Sequence, residues 1–134
     1  MTTVYVESIE GYNALRMVWQ HQVDRRDVQT AFQSIASRLA GAPVPTCVIV
    51  NIQDDPNFPL RETIFGALGP YRNRNLSEWL IVGENRFAHL IERTLSSITG
   101  RTNVFWFERE SQALAHMDEV PAYRQAAPVS APQG

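Results

Sequence analysis

The order of its periodicities constrains this chain more than any single motif does. Two short runs alternate apolar and polar residues with period two, and a turn separates them. An amphipathic helix follows, and then three strand–helix units in succession. Val4, Val6 and Ser8 alternate with Tyr5, Glu7 and Ile9, which reads as a strand. Glu10-Gly11-Tyr12-Asn13 supplies the turn, since Gly11 and Asn13 tolerate positive φ. Leu15, Met17, Trp19 and His21 alternate with Arg16, Val18 and Gln20, the second arm of an antiparallel hairpin.

The helices can be read from caps and stripes. Asp24 is an N-cap, and Asp27 stands three residues on in the capping-box position. Val28, Ala31, Phe32, Ile35, Ala36 and Leu39 form the apolar stripe, and Gly41 closes the helix. Residues 46–52 are nearly all apolar, as in a strand covered on both faces. After a loop rich in Asp, Asn and Pro, Pro59 suits the first turn of a helix striped by Leu60, Ile64, Ala67, Leu68 and Tyr71. Gly69-Pro70 is expected to end or kink it. Residues 78–82 form the next buried strand. Asn85 caps a helix with the stripe Phe87, Leu90, Ile91, Leu95 and Ile98, ended by Gly100. Residues 104–107 are the last strand, and a short helix carries Ala113, Leu114 and Met117. The expected architecture is a single α/β domain over residues 1–120. It has a mixed five-stranded sheet with an N-terminal hairpin, right-handed crossovers and about four helices. The tail 121–134, rich in Ala, Pro, Ser and Gln, is expected to be disordered.

Composition removes several function classes. All twelve basic residues are arginine and none is lysine, so Schiff-base chemistry, a phosphate-loop lysine and a lysine general base are excluded. The formal net charge of −2 gives no field that would draw in nucleic acid. No run of 18 or more apolar residues reads as a membrane span, and the N-terminus has no basic start or apolar core of a signal peptide. The lone Cys47 lies in an apolar run, which points to a buried, inert thiol and a reducing, cytoplasmic setting.

Quoted in order, the elements are a hairpin with a Trp strand, an Asp-capped helix, Val-Ile-Val-Asn-Ile, Trp-Leu-Ile-Val-Gly-Glu-Asn-Arg-Phe, Val-Phe-Trp-Phe-Glu and Ser-Gln-Ala-Leu. This pattern, over residues 3–118, resembles a STAS-type, SpoIIAA-like domain. The resemblance implies the α/β fold just described and a non-enzymatic regulatory role. The best-known members are bacterial anti-sigma-factor antagonists, switched by a kinase that phosphorylates a serine at the start of the helix after the third strand. Here no hydroxyl stands between Ile52 and Glu62, and Thr63 lies inside the helix, so the switch does not carry over.

Ligands of such sheets bind beyond the carboxyl ends of the strands. Those loops place Asn51, Asp54, Asp55, Asn85 and Arg86 as binding candidates, with Glu84, Glu108 and Glu110 nearby. Carboxylates from three loops are the donor set for a Mg²⁺, but acids in first helical turns also serve the helix dipoles, and the simpler role is preferred. Asn85-Arg86 at a helix start can take an anion or simply cap the helix. Tyr71-Arg72-Asn73-Arg74-Asn75 reads as a helix end and loop. His21, His89 and His116 lack metal spacing, and His89 reads as structural. Trp19, Trp79 and Trp106 read as core, with a shallow apolar pocket as the alternative. The expectation is therefore an interaction module with a protein partner and no catalytic residue, metal or cofactor, with a homodimer among its assemblies. Alternatives are a small apolar-ligand or lipid-binding module, and an enzyme using Asp54 or Asp55.

Overall fold

The computed structural model describes residues 2–125. Its elements in chain order are β1 (Val4–Ser8), β2 (Ala14–Trp19), α1 (Arg25–Ala40), β3 (Thr46–Asn51), α2 (Leu60–Arg72), β4 (Leu76–Val82), α3 (Arg86–Thr99), β5 (Val104–Phe107) and α4 (Glu110–Asp118). A 3₁₀ turn, Pro121–Tyr123, follows α4. The sheet order is β1-β2-β3-β4-β5. β1 is antiparallel to β2, and every later pair is parallel. Crossovers that always advance in one direction and share one hand put α1, α2 and α3 on one face. The strand following them, β5, hands α4 to the other.

The alternation of side chains along the strands feeds these two layers. Leu15, Met17, Trp19, Val48, Trp79 and Ile81 join the core under α1–α3. Ala14, Cys47, Ile49, Leu80 and Val82 join the smaller core under α4. The central strands read as unbroken apolar runs because both of their faces are covered. Cys47 is fully buried, and burial pushes its thiol up to about 12, the state of an inert packing residue.

Four local readings need correction. Asp27 does not close a capping box with the Asp24 backbone. It accepts from the Thr3 N–H (2.8 Å) and hydroxyl (2.7 Å), and the Thr3 hydroxyl oxygen in turn accepts from the Asp24 N–H (2.8 Å). The box is thus completed through β1's leader, while Asp24 itself caps Arg26. The helix α2 runs through Gly69-Pro70 to Arg72. Pro70 falls in the last turn, where its missing N–H costs one intrahelical bond and the end carbonyls need outside donors; the Arg101 guanidinium donates to the carbonyls of Tyr71 in that turn and of Asn73 and Leu76 beyond it. In α3 the buried face is Ala88, Ile91 and Leu95, whereas Phe87, Leu90 and Ile98 are exposed. The apolar stripe is wider than the contact it makes.

The fourth correction concerns the end of the domain. Residues 121–125 are ordered against the α4 face. Tyr123 is 4% exposed. Its hydroxyl donates to Glu78 Oε1 (2.7 Å) and accepts from the Ser77 hydroxyl (2.8 Å), and its carbonyl accepts from the Asn13 N–H (2.6 Å). A bridge pairs Arg124 with Tyr12 in the hairpin turn. The expected tail from Pro121 therefore begins no earlier than residue 126, and 126–134 lie outside the described residues.

Candidate functional site

Parallel strands β2–β5 end on one rim of the sheet, and the candidate residues collect there. Asn51 closes an Asx turn on its own strand end: its Oδ1 accepts from the Gln53 N–H (3.0 Å) and its amide donates to Gln53 Oε1 (3.3 Å). Asp54 Oδ2 accepts from the His21 N–H (3.0 Å). Asp55 adopts a left-handed backbone (φ 51°), and its Oδ1 accepts from the Asn85 amide (2.8 Å). Asn85 is 9% exposed and is used on both ends. Its Oδ1 caps α3 by accepting from the Phe87 and Ala88 N–H groups (2.9 and 3.1 Å), while its Nδ2 also reaches the Pro56 carbonyl (3.2 Å). Arg86 does not join this cluster; its guanidinium lies 5.5 Å from the centroid of the Phe87 ring.

His21 is the member the sequence did not suggest. Its Nδ1 sits 2.8 Å from the Asp55 carbonyl and 3.2 Å from that of Asp54. Carbonyls only accept, so Nδ1 carries the proton. The loop 52–57 is thus strapped from β2 by His21 and from α3 by Asn85. An isolated acid pair gives no hint of this, because the partners lie 30 or more residues away in sequence.

The other acids of the rim are engaged separately. Glu110 receives a two-pronged Arg16 guanidinium (2.8 and 2.9 Å), which also reaches Glu7 (3.0 Å). Glu84 contacts His89, whose ring stacks on Trp106 with centroids 3.7 Å apart. Among the described residues, no group of three or more His, Cys, Asp or Glu side chains is arranged to hold a metal ion. The carboxylates of three loops share an edge but not a centre.

The Asn85 amide separates capping from strapping. Asp caps helices about as well as Asn. Asn85→Asp should nevertheless destabilise the protein by roughly 1–3 kcal/mol, because it removes a buried donor and sets a carboxylate against Asp55. Urea unfolding measures this. A change within about 0.5 kcal/mol would mean that only the cap matters.

Beneath α2 and α3 lies a partly open cavity of about 60 Å³, walled by Met17, Phe32, Val50, Ala67, Ile91 and Leu95 and by the rings of Trp19, Phe58, Tyr71 and Trp79. It is well below the roughly 300–1,000 Å³ of sites for drug-sized ligands. Trp19 packs against Phe58 and Trp79 stacks on Tyr71, with centroids 4.8 and 5.1 Å apart. Trp19 and Trp79 are core as expected, but Trp106 is only half-buried. Trp19 Nε1, Trp79 Nε1 and Thr63 Oγ1 are buried without a hydrogen-bond partner in the protein. Each such group costs about 1–3 kcal/mol when left unpaired.

The strand order, the rim and the two layers define a SpoIIAA-like α/β domain. The fold matches the crystal structure of an uncharacterized protein of the DUF3478 family with a SpoIIAA-like fold from Shewanella loihica PV-4. The TM-score is 0.57 at 17% identity, over 84% of this chain and 90% of that one. No protein-family model matches the sequence, and no curated protein matches it significantly. Among the described residues, no helix is long and apolar enough to cross a membrane.

Proposed function

We propose that this protein is a non-enzymatic regulatory module that binds a protein partner through the loop 51–59 and the helix α2. The observation that carries this reading is the construction of the loop. Its two carboxylates each accept one hydrogen bond, and three of its carbonyls are engaged by His21 and Asn85, so the loop is held as a shaped surface. Beside it α2 presents Phe65, which is 66% exposed, with Arg61 over its ring. An exposed Phe flanked by a guanidinium is the composition of a contact surface.

A photo-crosslinking residue at Phe65 tests this in cells. A discrete protein adduct is expected, absent when the same group replaces Phe105 at the far sheet edge and lost on Arg61→Glu. Equal labelling at both positions, or none, would count against the surface. Saturable micromolar Mg²⁺ binding abolished by Asp54→Ala or Asp55→Ala would promote an enzyme instead.

The regulatory role differs from that of phosphorylated relatives. The first hydroxyl after Ile52 belongs to Thr63, which is 3% exposed and faces the cavity. Incubation with a kinase that acts on SpoIIAA-like proteins should leave residues 51–63 unmodified. Phosphate found there by mass spectrometry would show that the loop opens.

A further inference from the structure

We propose that β5 pairs with the β5 strand of a second copy, antiparallel and with Val104 opposite Trp106, so that two five-stranded sheets join into one. This inference stands apart from the interaction surface on α2 and does not rest on it.

β5 is an edge of the sheet. In its parallel ladder with β4, the Trp79 N–H donates to the Asn103 carbonyl and the Gly83 N–H to the Phe107 carbonyl, both at 2.9 Å. Backbone groups alternate in direction along a strand. Residues 103, 105 and 107 therefore face β4, and the N–H and C=O groups of Val104 and Trp106 face outward. Among the described residues, no hydrogen bond reaches these outward groups. Edge strands are commonly guarded by charge or proline. β5 is Val-Phe-Trp-Phe, with neither, and Phe105 is 41% exposed. The opposite edge is different. There β1 carries Glu7, paired with Arg16 (3.0 Å), and Ser8, whose hydroxyl accepts from Arg38 (3.1 Å).

Alternating donors and acceptors along an edge call for an extended backbone, and β5 is its own complement. With Val104 opposite Trp106, every open N–H and C=O of one strand is bonded by the other. Phe105 then faces its own copy across the two-fold axis, in the kind of pair that brings side chains closest. Valine on tryptophan and phenylalanine on phenylalanine are stabilising cross-strand pairs. Charge fits the same register. The first charged residue beyond the strand, Glu108, falls opposite the uncharged Thr102, so no like charges meet. Centring the pair on Val104 or on Trp106 would instead set an open residue against Thr102 or Glu108, outside β5. Pairing β5 with β1 of another copy would run head to tail and leave an open chain of domains.

The test follows the full chain across concentration. Sedimentation from about 1 μM to about 1 mM should show a monomer–dimer equilibrium, with a Kd on the order of 10–100 μM for so small a contact. As the dimer fills, exchange of the Val104 and Trp106 amides should slow by about tenfold or more, while the Phe105 and Phe107 amides, bonded to β4, stay protected throughout. Phe105→Glu should weaken dimerisation by about tenfold or more, since it sets two carboxylates against each other. Phe105→Cys tests the register. Cα atoms about 4.5 Å apart are within disulfide reach, so mild oxidation should give a covalent dimer. Cys47 is buried and does not compete. Phe65→Cys, at a more exposed position on α2, should stay monomeric. A self-adduct has twice the chain mass and is distinct from a partner captured at Phe65, so either reading can fail alone. A chain still monomeric at about 1 mM, or a dimer whose Val104 and Trp106 amides exchange as in the monomer, would overturn the pairing. A dimer that protects those amides but does not crosslink through Phe105→Cys would overturn the register.

Discussion

Replacing Gly83 with alanine should destabilise the protein by about 3 kcal/mol or more, among the largest effects of any single methyl group here. Gly83 follows β4 at φ +117°, a conformation that L side chains rarely adopt. A Cβ there would stand 3.0 Å from the Gln53 nitrogen and the Ile52 carbonyl carbon, and 3.1 Å from the Ile52 oxygen. These are backbone atoms at the start of the strapped loop and cannot swing aside as a side-chain tip would. The Gly83 N–H also donates to the Phe107 carbonyl (2.9 Å), so the strain cannot be relieved without disturbing β5. Chemical denaturation and amide exchange of residues 52–57 provide the measurement. A loss under about 1 kcal/mol would show that the β3–α2 loop yields easily and is not the rigid surface described above.

Ending the chain after Val120 should lower the melting temperature by about 10 °C, for a loss of roughly 3 kcal/mol in a domain of this size. The cut removes Tyr123, uncovers the core around Cys47, Leu80 and Met117, and takes away a hydrogen bond from Glu78. Tyr123→Phe separates the two contributions, since it keeps the ring and removes only the hydroxyl. It should cost about 1 kcal/mol. The same segment carries an exposed pH-dependent contact. The Tyr12 hydroxyl, and after it Arg124, hold the Asp118 carboxyl below the usual carboxylate range. That contribution is present above the unfolded carboxylate value and is lost as pH falls through the lower folded value. A truncated protein that melts within about 2 °C of the full chain would mean that residues 121–125 rest on the surface without stabilising it.

The fold was legible because it is written in local periodicities. Each strand alternates or runs apolar as its two covered faces require, and Asn85 was recognisable as a cap from its place before an apolar stripe. What escaped was whatever depends on distant partners. His21 looked like the end of a strand because the carbonyls it grips belong to a loop 33 or 34 residues later. Asp27 has the right spacing for a box, but a threonine 24 residues upstream claims it. Tyr123 sits in a stretch without periodicity, so nothing local marks the slot that Glu78 and Ser77 prepare for it. The orphaned polar atoms of Trp19, Thr63 and Trp79 belong to three separate elements. Only the assembled sheet and helices show these three residues lining one space.

The strand order has a consequence for synthesis. Because no strand is inserted between two earlier ones, each strand leaving the ribosome finds its neighbour already displayed, and the sheet can grow outward from the hairpin as the chain lengthens. Residues 121–125 break this rule. They return to the hairpin turn, where Arg124 pairs with Tyr12 and the Asn13 N–H bonds the Tyr123 carbonyl. The first turn to be made is thus sealed by the last described residues to emerge. A translation arrest just short of them should yield a nascent domain whose hairpin side is still open to proteases and chaperones.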